Sequence, residues 1–329
     1  MLETVSQNAQ RIRQYGIEEG DLEVERFLDA VLSIADHIDP FPRREPPEPE
    51  REAAPAPGEG PYDDLFPREE AVERKAREKV RKPARRKVPA APEKDLLLFL
   101  LEHADHLEDW QRDIIAIVRE ESLYFVPQRM TKIMNEGWAS FWHMRIMREL
   151  DLTDEEFVEF GRLHAAVCTP GHMRINPYYL GLKIFEDIEK RFGREKIFEV
   201  REMENDVSFL RGYLTEELCE ELDLFVYELK DDAWKITDKQ WERVRDALCD
   251  SMTNFGNPYI VVEDGDYRGR KELLLRHQHD GRDLDLPYAE KTMQYLYQLW
   301  GRPVHLETQV EGRPTRITCE GEKVTMEKL

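Results

Sequence analysis

One segment of the chain cannot contribute to a packed core, and it constrains the fold more than any other feature. From about Phe41 to Pro92 the sequence is dominated by proline, alanine, glutamate and arginine, as in PFPRREPPEPEREAAPAPGEGP. Such a composition buries too little apolar surface to offset the entropy that is lost on ordering. We expect this segment to be disordered or extended, and to separate short N-terminal helices from the rest of the chain.

The sequence on both sides of this segment has the spacing of amphipathic helices. Residues 7–15 and 22–37 place apolar side chains at helical intervals. After the segment, Asp95 is positioned as an N-cap, and Thr153-Asp154-Glu155-Glu156 resembles a capping box. Thr215 begins another short helix. The central region is therefore predicted to be helical.

The last part of the chain has strand patterns instead. Residues 258–262 and 272–276 are apolar and predict one hairpin, joined through Glu263-Asp264-Gly265-Asp266. Residues 287–300 predict a helix, and residues 304–319 predict a second hairpin. The order of hairpin, helix and hairpin is typical of a small two-layer domain.

We therefore predict an α+β protein with a predominantly helical central domain and a smaller C-terminal α+β domain of hairpin, helix and hairpin. The length of 329 residues suits about two domains of roughly 100–200 residues each. The predicted divisions are N-terminal helices at 1–40, a Pro/Arg-rich linker at 41–94, a helical core domain at 95–200 and the C-terminal domain at 201–329.

Charge and composition argue against several classes of protein. The formal net charge is −21 at pH 7, which repels phosphates and argues against a general nucleic-acid surface. No run approaches the roughly 20 apolar residues that cross a bilayer, and the N-terminus has no apolar signal core. The four cysteines form no CxxC pair, which argues against a disulfide framework or a zinc ribbon. We expect a cytoplasmic protein without a membrane span.

The segment from Arg68 to Lys87 departs from this acidic character, with ten Lys or Arg against four Glu. Such a run is consistent with a tail that binds nucleic acid or an acidic partner. A solvated linker that balances the acidic body is the interpretation we favour. Nucleic-acid binding remains a separate hypothesis, which absent or salt-independent binding to DNA would exclude.

The densest group of chemically active side chains lies in TKIMNEGWASFWH, Thr131 to His143. Helical spacing places Glu136, Ser140 and His143 on one face, with Lys132 one turn earlier. A hydroxyl between a carboxylate and an imidazole is arranged for one hydrogen-bonded chain, which would fix the histidine tautomer. Glu136, His143 and Ser140 are therefore the candidate catalytic residues.

A later stretch, INPYYLGL, extends this candidate site. Asn176 has the position of a helix cap, Pro177 that of the first helical residue, and the Asn176 side chain is also available to a ligand. Gly181 within the same helix predicts close approach to another helix. The candidate binding residues are Lys132, Asn135, Trp138, Asn176 and Tyr178.

Glutamate and histidine together suggest a divalent metal such as zinc, but their spacing limits this interpretation. Glu136 and His143 are seven positions apart, about 10.5 Å along an ideal helix, whereas zinc proteases place two ligands four positions apart. An ion held by this pair needs ligands from other segments. The candidates for them are Glu120, Glu121, His164 and His172, with Glu121 and His164 preferred.

Two interpretations of the Thr131–His143 group stay open. It is either a chemical site or a buried polar network that specifies a helical core. In a chemical site, Glu136→Gln abolishes the biological role with little loss of folding. His103 and His106 also have ligand spacing, but their charged neighbours favour a solvated face.

Several long motifs together resemble the SpoVR family, that of the stage V sporulation protein R. They are LEDWQRDIIAIVREESLYFVPQ, TKIMNEGWASFWH, INPYYLG, DVSFLRGYLT, YIVVEDGDYRGRKELLLRH and LWGRPVHLET. The resemblance covers roughly Glu18 to Asp39 and Leu96 to the C-terminus. The matching positions include Glu121, Gln128, Lys132, Asn135, Glu136, Trp138, His143, Asn176, Pro177, Tyr178 and Gly181.

The resemblance implies a soluble bacterial protein that is linked, in endospore formers, to assembly of the spore cortex. Relatives also occur in many bacteria that do not sporulate, and the resemblance names a role without naming a reaction. One hypothesis is a factor that supports spore-cortex or cell-envelope formation through protein partners. The alternative is a metal-dependent hydrolase distantly similar to zincins, with Glu136 as ligand or base and His143 as ligand or orienting group.

The chain departs from the family pattern at its start. Family members carry an N-terminal segment rich in aromatic and histidine residues, with a His-x-x-Gly-His-like motif, ahead of the helix that matches Ala9 to Tyr15. This chain begins at or just before that helix, so we expect a late start codon or a natural truncation. If those histidines complete a site with Glu136 and His143, the chain holds half of that site.

Overall fold

The computed structural model describes residues 2–42, 87–169, 175–230 and 233–329. Most of the predicted linker, its basic part up to residue 86 and His172 lie outside these residues. Within them the helices and strands follow in the order α1 (Leu2–Glu19), α2 (Asp21–Leu32), α3 (Leu96–His103), α4 (Asp109–Met130), α5 (Lys132–Glu149), α6 (Asp154–Val167), α7 (Pro177–Phe192), α8 (Arg194–Met203), α9 (Asp206–Tyr213), α10 (Glu216–Glu221), β1 (Val226–Lys230), β2 (Ala233–Asp238), α11 (Trp241–Ser251), β3 (Ile260–Tyr267), β4 (Glu272–His277), α12 (Leu286–Trp300), β5 (Val304–Val310), β6 (Arg313–Glu320) and β7 (Lys323–Lys328).

This architecture confirms the predicted α+β class, mostly helical with a C-terminal sheet. The hairpin of β1 and β2 and the last strand, β7, were not predicted. Among the helices of the described residues, none combines the length and the apolar character that a membrane span requires.

The predicted helix starts are formed by the expected side chains. The Asp95 carboxylate accepts a hydrogen bond from the Leu98 amide at 2.8 Å. Thr153 and Glu156 form a reciprocal capping box at the start of α6. The Thr215 hydroxyl accepts from the amide of Leu218. Each contact satisfies an amide that would otherwise lack a partner in the first helical turn.

The chain divides into two compact units, which we describe separately. One comprises Met1–Ser122 and Pro258–Leu329, and the other comprises Leu123–Asn257. The divisions fall within α4 and just before β3. They differ from the divisions predicted from composition, at 1–40, 41–94, 95–200 and 201–329, which stay a prediction.

The first unit contains a five-stranded mixed sheet in the order β3-β4-β5-β6-β7. β3 pairs antiparallel with β4, and β5 with β6, as the predicted hairpins require. β4 and β5 are parallel, with α12 between them in the chain, since parallel neighbours need a crossover connection. α12 packs against β5 and β6, where Val304, Leu306 and Ile317 are buried.

The helices of the first unit join in a second apolar layer. α1 packs on α2, and α2 packs on α12, with Phe27, Val31 and Ile34 buried. His37 follows α2, and its carbonyl accepts a hydrogen bond from the Leu96 amide at 2.9 Å. Burial lowers the pKa of the His37 imidazole to about 4, since a charged ring would lose its hydration there. The folded chain therefore holds this ring neutral.

The low pKa of His37 predicts a loss of stability in acid. Between pH 6.5 and about 4 the unfolded chain binds a proton that the folded chain does not, so the free energy of unfolding falls as the pH falls through this range. We expect His37→Gln to remove this contribution, which is at most about 3 kcal/mol. Urea unfolding of both proteins at pH 7 and pH 4.5 measures it. An equal pH dependence in both proteins would contradict the assignment.

The second unit is organised by the crossing of α5 and α7, which make its most extensive helix contact. Gly137 of α5 faces Gly181 of α7 at the crossing. A Cβ atom on Gly137 would overlap the backbone of Gly181, and one on Gly181 would overlap the carbonyl of Ile133. The two backbones are therefore in direct contact, as predicted for Gly181.

This contact predicts a strong effect of one methyl group. We expect Gly181→Ala to destabilise the protein by about 2–3 kcal/mol, because the obstructing atoms are backbone atoms that cannot rotate away. Gly161→Ala in α6 is the matched control, since nothing lies within 4 Å of that Cβ. The control gains about 0.5–1 kcal/mol of helix stability. Denaturant unfolding compares them, and equal stabilities would refute the crossing.

Candidate functional site

The start of α5 is held by a buried carboxylate from another helix. Asp206, the first residue of α9, accepts hydrogen bonds from the amides of Ile133 at 2.8 Å and Met134 at 2.9 Å. Thr131, the N-cap of α5, makes no side-chain cap of its own. Burial raises the pKa of Asp206, while these amides and the charge of Lys132 oppose that rise. Asp206 thus supplies the helix cap from 73 residues away.

Asn135 and Lys132, two predicted binding residues, differ in their surroundings. The Asn135 amide nitrogen donates to the Thr131 hydroxyl at 2.9 Å, and its oxygen accepts from Arg201 of α8 at 2.8 Å. Lys132 is exposed to solvent. Asn135 is therefore engaged in joining α5 to α8, whereas the Lys132 ammonium group remains accessible.

Glu136 is paired with Tyr178 across the α5–α7 crossing. The Glu136 carboxylate lies beside the Tyr178 hydroxyl. As a hydrogen-bond acceptor first and as a negative charge second, this carboxylate raises the pKa of Tyr178, because both effects favour the protonated phenol. Both side chains are partly exposed. The two motifs NEGWASFWH and INPYYLG thus meet in one carboxylate–phenol pair.

Ser140 and His143 make contacts with α6 and the residue after it. Ser140 is buried, within hydrogen-bonding reach of the Cys168 thiol. The ring of the exposed His143 lies edge-on to Phe160, with the ring centroids 5.4 Å apart. Among the described residues, Glu136, Ser140 and His143 therefore make three separate contacts in place of the single hydrogen-bonded chain expected from their spacing.

Phe160 also brings His164 to this region, at 5.7 Å between ring centroids. Burial lowers the pKa of His164, and the neighbouring His143 lowers it further. Burial raises the pKa of the Cys168 thiol, which keeps it protonated and weakly nucleophilic. The structure thus brings His143 and His164 to the same phenylalanine.

Trp138 belongs to an aromatic cluster. Its ring makes edge contacts with Trp142, Phe185 and Phe198, at centroid distances of 5.6, 5.4 and 5.3 Å. Phe141, on the same helix, is fully buried. Trp138, a predicted binding residue, therefore contributes with Trp142 to the core between α5, α7 and α8.

Asn176 caps α7, as predicted, and also binds the end of α6. Its side-chain oxygen accepts from the amides of Tyr178 and Tyr179, at 3.0 and 3.4 Å. Its amide nitrogen donates to the carbonyls of Val167 and Thr169, at 2.7 and 3.0 Å. All the polar atoms of this side chain are thus engaged within the protein.

The described residues hold no group of three or more His, Cys, Asp or Glu side chains that could bind a metal ion. Glu121, a predicted ligand, belongs to the first unit, where its carboxylate accepts from Asn8 at 3.0 Å. Glu136, His143 and His164 belong to the second unit. Of the other predicted ligands, Glu120 belongs to the first unit and His172 lies outside the described residues.

Two polar side chains that position α5, Asp206 and Arg201, were not predicted from the sequence. The signal for Asp206 was its place in a capping box, because Asn205 and Ser208 bond reciprocally at the start of α9. That pattern explains why a helix begins there, but it does not predict that the acid caps a second helix. Arg201 gave no signal, since its partner Asn135 is 66 residues away.

His103 and His106 lie in the first unit, on the lining of an open cavity of about 600 Å³. His103 packs on Phe99, with the centroids 4.6 Å apart, whereas His106 is exposed. Lys271, also on the lining, pairs with Asp105 at 2.7 Å. The lining of this cavity therefore carries both cationic and anionic side chains.

Comparison with known proteins identifies the family. The family model described as "SpoVR like protein" matches residues 1–257, and the model of the SpoVR-like C-terminal domain matches residues 258–311. The chain belongs to the SpoVR family. The boundary between the two SpoVR models coincides with the start of the last segment of the first compact unit, at Pro258.

A SpoVR relative from Escherichia coli (strain K12), with the printed name "Uncharacterized protein YcgB", is 32% identical over 265 residues. The alignment covers 69% of this chain and 51% of the relative. The chain thus spans about half the length of that curated relative. No solved structure matches this SpoVR-family chain.

The Glu136–Tyr178 pair predicts a titration that can be observed directly. We expect Glu136→Gln to lower the pKa of Tyr178 towards 10, because the substitution removes both the charge and the strong acceptor. NMR titration with ring-labelled tyrosine, assigned through Tyr178→Phe, measures it. Glu155→Gln, on the exposed side of α6, is the control and leaves the pKa unchanged. No change with Glu136→Gln would show that the pair is absent in solution.

Proposed function

We propose that this SpoVR-family protein supports formation of the spore cortex or cell envelope, and that it acts in the cytoplasm by binding protein partners. Family membership supports the link to sporulation. The partner-binding part of the proposal depends on one observation. The polar side chains of the motifs are engaged in contacts within the protein. Glu136 pairs with Tyr178, and Asn176 and Asn135 join neighbouring helices.

Motif residues used in this way favour a scaffold over a reaction centre. A catalytic site keeps its acid, base or nucleophile free to reach a substrate. Here the polar groups instead fix the relative positions of α5, α7 and α8, and their rigidity is suited to presenting an outer surface to another protein. Partner proteins, and not nucleic acid, are the proposed binding targets.

Complementation in an endospore-forming bacterium that lacks its own SpoVR protein tests the proposal. We expect expression of this chain to restore cortex peptidoglycan and heat-resistant spores, and we expect fractionation to find the protein in the cytoplasm. A chain with Gly181→Ala is the destabilised control. Failure of the parent chain to restore cortex, although folded protein accumulates, would overturn the proposal.

The same assay addresses the role of Glu136. A scaffold tolerates Glu136→Gln, because glutamine keeps the size of the side chain and one acceptor for Tyr178. We expect the variant to fold and to restore cortex to at least half the parent level. Complete loss of cortex with unchanged folding would instead indicate a chemical site.

A further inference from the structure

One helix of the second unit leaves its apolar face uncovered. None of the 14 residues of α6 is buried. Its large apolar side chains Phe157, Leu163 and Val167 are 52%, 56% and 47% exposed. At the end of α5, Ile146 and Leu150 are 55% and 51% exposed. We call these five residues the α5–α6 apolar surface.

The helix contacts place these residues on one side of an antiparallel helix pair. Ser140 lies by Cys168, and His143 lies by Phe160, so the helices run in opposite directions. The same register puts Ile146 level with Phe157. Within α6 the spacing of Phe157, Phe160, Leu163 and Val167 follows one helix face. The five residues therefore form a surface and are not scattered singly.

Such a surface is unusual for an isolated folded unit. A helix of this length is marginal by itself in water, and helices in proteins gain most of their stability from packing an apolar face. Contiguous exposed apolar patches on soluble proteins commonly mark interaction sites. A binding partner can therefore cover the apolar side chains of α6 that this chain leaves exposed.

The charges beside the surface indicate the character of that partner. Residues 149–167 contain six acidic side chains and one arginine. Helical spacing places Glu155, Glu156 and Glu159 in a stripe next to Leu163. This stripe repels an anionic lipid surface and attracts lysine and arginine side chains. The complementary surface of the partner is therefore an apolar face bordered by positive charge.

We infer that the α5–α6 apolar surface binds a basic amphipathic helix of a partner protein. The apolar face of the helix covers Phe157, Leu163 and Ile146, and its Lys or Arg side chains reach the acidic stripe. This is the helix-in-groove mode of recognition. The inference rests on the proposed partner-binding function and specifies the partner's chemistry.

A synthetic helix of about five turns tests the inference, with leucine on one face and lysine on the other. Its binding to the purified full chain is measured by fluorescence anisotropy of a labelled peptide. We expect saturable 1:1 binding that Leu163→Gln weakens by about tenfold. Val158→Gln is the matched control, because Val158 is 70% exposed on the opposite side of α6 and its substitution leaves binding unchanged.

Three results would overturn the inference. They are equal binding by Leu163→Gln and the parent chain, equal binding by a scrambled peptide of the same composition, and a dimer in sedimentation that Leu163→Gln dissolves. The last result would assign the surface to a second copy of the chain. Circular dichroism confirms that both variants fold. Because cortex formation is scored separately in cells, the failure of either proposal is recognised independently.

Discussion

The second unit depends on the direct contact between the backbones of Gly137 and Gly181. No side chain larger than hydrogen fits at either position without a backbone shift, so the backbones of α5 and α7 are in contact. This distance brings Glu136 of one helix within hydrogen-bonding reach of Tyr178 of the other. The polar motif that distinguishes the sequence is thus arranged by two residues without side chains.

The cost of burying charge explains how the start of α5 is held against α9. Asp206 loses hydration, which raises its pKa, but it gains the amides at the positive end of α5. A buried carboxylate is tolerated only with such partners, and the loss of any one would leave it uncompensated. The aromatic contacts of Trp138 then close the apolar side of the same helix. The electrostatic constraint acts at the N-terminal end of α5, and the apolar constraint acts along its side.

These constraints also separate a rigid part of the unit from an exposed one. α5, α7 and α8 are joined by buried side chains, whereas α6 is held by its capping box, by Phe160 and by the bonds of Asn176 to its end. A surface helix held in this way exposes apolar area without disturbing the core. The arrangement suits the proposed binding of a partner protein, since the binding surface can be covered while the crossing stays unchanged.

The sequence by itself determined the features whose causes lie within one helical turn or one hairpin. The caps at Asp95, Thr153 and Asn176 follow from side chains that reach amides two or three positions away, and the hairpins of β3–β4 and β5–β6 follow from alternation and turn composition. Gly181 predicted a close approach of its helix to another helix, but the spacing of residues did not predict that Gly137 is the residue it contacts. Only the tertiary structure decided that Asp206 caps α5, that Glu136 lies beside Tyr178, and that β4 and β5 are parallel. The physical reason is that these interactions join residues about 30 to 70 positions apart, where packing, and no local rule, selects the partner.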